Sequence, residues 1–196
     1  GTASQNSTGG NTFASGTTTR FTNAGAGNWN LGNTVADDFN GTTQFLRTST
    51  GALVVSTNTN STFSGNIEIR STSDSVVFGT GAASRITFDG NATTTFTNNG
   101  TKDPSCLRVT MDRTGGNLTL NDPLIIRAGG NLTLTNGNIT TTSANFLSFL
   151  DENVTTNLGS AASYVDGPMK INMSTGTAGT NLSFPVGRGG YSSPFS

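Results

Sequence analysis

The chain has 196 residues, enough for one domain with a real core or for two small ones. Lys and Arg total 10 against 11 Asp and Glu, and only 11% of residues are charged, so there is no basic footprint for nucleic acid and no acidic tail. There is no His, which excludes Ser-His-Asp, Cys-His and His-metal sites, and no run of 18 apolar residues, so no membrane-spanning helix is expected.

Gly, Thr, Asn and Ser make up the bulk of the chain. Such a composition fits disorder, but 12 Phe and many β-branched residues fall in regular short runs between turn formers. An ordered all-β chain is the reading. No charged segment followed by an apolar one opens the sequence, so an export signal is either already removed or lies outside it.

The first third, through "FTNAGAGNWN", keeps no clear period, and residues 1–50 read as an irregular arm or cap with the first strands. From residue 51 to 196, strand candidates follow one another. They are "ALVVS" (52–56), "NIEIR" (66–70), "SVVF" (75–78), "RITF" (85–88), "TTFT" (94–97) and "LRVTM" (107–111). Next come two copies of Asn-Leu-Thr-Leu, at 117–120 and 131–134, and then "FLSFL" (146–150), "MKINM" (169–173) and "NLSF" (181–184). No stretch of a dozen residues holds helical periodicity.

The repeat chooses among architectures. Asn117, Leu124, Asn131 and Asn138 lie on a seven-residue grid, each opening a short strand. Three seven-residue faces make one coil, which predicts a parallel β-solenoid of about 21-residue, three-faced coils. Asn117 should then stack on Asn138, with Leu118 near Ile139. Asn131 should stack on Asn153, with Leu132 near Val154. Leu118, Leu120, Leu132, Leu134, Ile139 and Val154 should point inward, and stacked Asn should hydrogen-bond along the axis. The alternative is an antiparallel β-sandwich of hairpins, with "TNGN" (135–138) as a type I′ turn.

The chemistry-bearing residues are few. Cys106 is alone and reads as small buried filler at a strand start. The acids mostly sit in turn contexts such as "NDP", "FDG" and "VDG", where Asp caps its own turn, so no enzyme is expected. Asp37–Asp38, Asp151–Glu152 and Asp89 in "DGN" are weak calcium candidates, since the Gly-Gly-x-Gly-x-Asp repeat is missing. No other cofactor is expected. Trp29, Tyr164 and Tyr191 are the aromatics for a glycan site, and "TTTRFT", "TTTFT" and "NITTT" are the Thr clusters for an ice-binding face. Those clusters show no fixed register in the sequence, which ranks ice binding lower.

The stretch with "LTLTNGNI", "GSAASYVDGPM" (159–169) and "FPVGRGG" (184–190) resembles very large surface and secreted proteins of Bacteroidetes exported by the type IX secretion system. The likeness covers about the last half of the chain. It implies a repetitive, largely β-helical protein at the cell surface with adhesive or structural duty and no assigned reaction. In that group "DSV" (74–76) matches an O-glycosylation pattern, with Ser75 as acceptor. No C-terminal sorting domain follows, so the chain is expected to be a fragment or a processed form. The expected function is an extracellular structural or adhesive module that self-associates head to tail, through Phe13, Phe21, Tyr191 and Phe195. Surface glycans are further expected partners, ice binding is the other surface reading, and a polysaccharide lyase or hydrolase ranks last.

Overall fold

A computed structural model describes residues 4–72, 76–100, 105–173 and 183–193. The first coil carries β1 (Gln5–Asn6), β2 (Thr12–Phe13) and β3 (Thr18–Asn23), and the second β4 (Trp29–Asn30), β5 (Asp38–Phe39) and β6 (Thr42–Arg47). The third holds β7 (Leu53–Val55), β8 (Asn60–Phe63) and β9 (Ile67–Ile69), and the fourth β10 (Val77–Phe78), β11 (Arg85–Phe88) and β12 (Thr94–Asn98). In the fifth and sixth, one long strand turns a corner and serves two faces. These coils are β13 (Ser105–Asp112) with β14 (Leu118–Leu120), and β15 (Leu124–Asn136) with β16 (Ile139–Thr140). The seventh has β17 (Leu147–Phe149), β18 (Thr155–Thr156) and β19 (Val165–Asp166). Then follow β20 (Met169–Ile171), β21 (Val186–Arg188) and β22 (Tyr191–Ser192), and no helix occurs among the described residues.

The strands stack in parallel into three faces, giving a β-solenoid of about seven turns. On the first face β1, β4, β7, β10, the start of β13, the start of β15, β17 and β20 pair in order. The second face stacks β2, β5, β8, β11, the ends of β13 and β15, and β18. The third stacks β3, β6, β9, β12, β14, β16, β19 and β21. The antiparallel sandwich is not formed; among named strands only β21 and β22 pair antiparallel.

The seven-residue grid describes one coil faithfully. Asn117, Leu124, Asn131 and Asn138 each stand at or beside the start of a successive face. Leu118 pairs with Ile139, and the Asn138 amide donates to Asn117 Oδ1 at 3.1 Å. The period of the whole stack is longer, about 24 residues. Thr18 lies beside Thr42, and Thr43 beside Ile67. Corner loops account for the difference, because each face needs only a few paired residues while its corners vary in length. One consequence is that Asn131 meets Thr155 and Leu132 meets Thr156, rather than Asn153 and Val154. Another is that residues 4–50 form two ordinary coils on the same three faces, where an irregular arm or cap was expected. Of "NLSF", Asn181 and Leu182 lie outside the described residues.

Alternation places every second side chain inside. Leu118, Leu120, Leu132, Leu134, Ile139 and Val154 are all buried in one core. The N-terminal coils are filled by aromatic columns. Phe13, Phe39 and Phe63 stack, with ring centroids 5.0 and 4.6 Å apart, and Phe88 continues the column at 6.3 Å. Phe21 and Phe45 make a second column on the third face, 5.6 Å apart. Cys106 sits between Phe78 and Ile126 on the first face, fully buried, as filler.

Candidate functional surfaces

With the core filled by apolar columns, chemistry is confined to the outward rows, the corners and the two ends. The rows are ladders of polar side chains bonded from coil to coil. Asn30 Nδ2 donates to Asn6 Oδ1 at 2.6 Å, Arg20 Nε to Gln44 Oε1 at 2.9 Å, and Gln44 Nε2 to Glu68 Oε2 at 2.7 Å. Asn121 Nδ2 donates to Thr97 Oγ1 at 3.1 Å, and Asn136 Nδ2 to Asp112 Oδ1 at 2.7 Å. These bonds occupy groups that a binding or catalytic site would otherwise present.

The acids follow the same rule. Asp37 is buried and accepts from the Asn11 amide at 3.0 Å and from Asn11 Nδ2 at 2.9 Å. Asp38 accepts from Thr62 Oγ1 at 2.7 Å and from Asn40 Nδ2 at 2.8 Å, and Asp89 from Ser64 Oγ at 2.6 Å. Asp151 accepts from the amide of Asn153, a turn cap of the expected kind. The calcium candidates are thus spread over different corners. Among the described residues no three or more His, Cys, Asp or Glu gather where they could hold a metal.

The aromatic candidates separate. Trp29 is half-buried against Phe21, with centroids 5.8 Å apart. Tyr164 is buried, and its hydroxyl accepts from the Gly190 amide at 2.7 Å. Only Tyr191 stands free, 80% exposed, beside a groove that Thr140, Asp166 and Arg188 help to line. Of the assembly candidates, Phe13 and Phe21 are column members, not surface anchors. Phe195, like Ser75, lies outside the described residues.

Two rows were missed in the sequence. Thr62, Thr87, Thr110 and Thr133 are in register on the second face, and Thr95, Thr119 and Thr140 on the third. Two of the quoted clusters share a row, Thr95 and Thr140 through Thr119, while "TTTRFT" pairs Thr19 with Thr43 and then meets Ile67, so the three clusters hold no common register. The recurring "TFASG", "DFNG", "TFSG" and "TFDG" carried the 24-residue spacing of the stack.

The two ends differ. β3 is the outermost strand of the third face among the described residues. The Thr17 and Asn23 carbonyls accept from the second coil, so strand alternation turns the N–H and C=O groups of Thr18, Arg20 and Thr22 away from β6. At the other end β22 folds back on β21 and covers the third face, while among the described residues no strand pairs beyond β20 on the first face or β18 on the second. Among the described residues five large apolar side chains are exposed, and Leu150, Leu158, Met173 and Tyr191 lie in these last coils, with Val35 elsewhere.

No protein-family model, curated protein or solved structure matches the chain.

Proposed function

We propose that the chain is a structural, adhesive β-solenoid module of the cell exterior that associates with copies of itself along the coil axis. The observation that carries this reading is the contrast between the ends. Among the described residues, one presents an open parallel edge at β3, and the last coils at the other expose Leu150, Leu158 and Met173. An unpaired edge is a template for strand addition, in which backbone bonds supply affinity and apolar side chains supply fit. The surface best shaped for the end of a coil is another coil. Contact between unlike ends does not close on itself, so it generates a filament.

The polar outer rows and scarce charge suit an extracellular setting, and the likeness of the C-terminal half to type IX-exported surface proteins of Bacteroidetes supports the same place. The reading assigns no reaction. Sedimentation velocity tests it: the chain should form species that grow with concentration, and Thr22→Pro should reduce them. Thr22 is chosen because its N–H points away from β6, so the substitution leaves the fold's own ladder intact. A monomer at every concentration would reject the reading.

A second reading is an ice-binding face, favoured by the in-register Thr95, Thr119 and Thr140. It ranks below assembly because the row continues into Asp166. A thermal-hysteresis measurement decides it, and loss on Thr119→Val would support it.

A further inference from the structure

The corner between the first and second faces in the fourth to sixth coils holds three of the chain's ten basic residues: Arg85, Arg108 and Arg127. Ile86 pairs with Val109, which sets Arg85 and Arg108 side by side on adjacent strands, both on the outward side. Arg85 leans toward the next coil, with Nη1 at 3.4 Å from Thr110 Oγ1. Arg127 follows Ile126, the partner of Cys106, and its Nη2 donates to the carbonyl of Gly79, two coils back. That bond lays the Arg127 guanidinium back across the corner where Arg108 begins the second face.

Like charges on neighbouring strands repel, and in a chain that is 11% charged their concentration here calls for a counter-charge. Among the described residues no carboxylate pairs with any of the three. The carboxylates of this face are engaged elsewhere, Asp38 with Thr62, Asp89 with Ser64 and Asp112 with Asn136. Arg108 Nη1 and Arg127 Nε are buried N–H donors with no acceptor among the described residues. Buried donors are otherwise nearly always satisfied. A planar guanidinium fork fits an oxyanion in two-point contact.

We propose that Arg85, Arg108 and Arg127 form a binding site for the sulfate or carboxylate groups of an acidic polysaccharide. Along the coil axis the row continues from Arg108 to Asn131, whose amide and the Thr133 hydroxyl are tied into the ladder, so an extended polyanion is held chiefly by the cations, beside a half-exposed polar row. The site lies within the stack, away from both ends, and stands whether or not copies of the chain assemble.

Affinity electrophoresis of the purified chain in gels containing dextran sulfate, polygalacturonate or neutral dextran tests it. Retardation by the two acidic polymers and not by dextran is expected, weakening as salt rises. Arg85→Gln and Arg108→Gln should each lower affinity roughly tenfold, the worth of one charge-assisted hydrogen bond, while Arg20→Gln on the third face should not. Arg108→Lys should recover only part of the loss. A thermal midpoint confirms that each variant folds, and if Arg108→Gln does not, Arg85→Gln carries the test. Absence of retardation, an equal loss in Arg20→Gln, or competition by sodium sulfate as effective per charge as by polymer would overturn the proposal, the last pointing to a simple ion site.

Discussion

Gly65 and Cys106 show how little freedom a coil leaves to single residues. A Cβ on Gly65 would lie 2.1 Å from the Gly41 carbonyl oxygen of the previous coil, and one on Gly41 would lie 2.4 Å from that of Thr17. These corners stack backbone directly on backbone, so no side chain can move aside. Gly65→Ala should destabilise the fold by at least about 1–3 kcal/mol, the usual cost of overpacking, measurable by urea denaturation. Burial pushes the Cys106 thiol from 9.0 up to about 12, against a smaller opposing effect of Arg127. Its folded pKa is therefore raised, so the stability it contributes is intact below pH 9.0 and is lost as pH rises toward about 12. At pH 8 the thiol should resist iodoacetamide until the protein unfolds, and rapid alkylation of the native chain would show that it is not buried.

At the scale of elements, coils are joined by more than strand ladders. Arg113 is buried, donating to the Ala92 carbonyl at 2.9 Å, to Phe63 at 3.2 Å and to Ser64 at 2.9 Å, which ties the fifth coil to the fourth and the third. Desolvation pulls its pKa down and Asp89 opposes this. Arg113→Met would strand several buried carbonyls and should cost about 2–4 kcal/mol. Arg113→Lys should recover only part of that, since an ammonium lacks the fork. A midpoint shift near zero in both variants would show that the tie is decorative. This element was invisible in the sequence, because an Arg in "MDRTGG" reads as a surface turn. The strands and the three-faced coil were legible, because Asn117, Asn131 and Asn138 mark face starts where the corners are short. The first two coils were not, since their longer corners break the seven-residue grid while preserving the 24-residue recurrence of Phe39 and Phe63. The outward Thr rows were lost with that recurrence, and the arginine corner too, because Arg85, Arg108 and Arg127 are neighbours only through the stack.

The whole molecule is a short rod of stacked backbone, and in the proposed assembly such rods join end to end. The apolar residues of the last coils and the open β3 edge lie in opposite terminal coils of the same axis, so in that assembly each contact would leave the next one available. Cryo-electron microscopy of the purified chain across a concentration series tests this most directly. The predicted result is filaments whose axial repeat is built on the ~4.8 Å strand spacing, shortened or abolished by Thr22→Pro. Single rods of one length at every concentration, unaffected by that substitution, would contradict it.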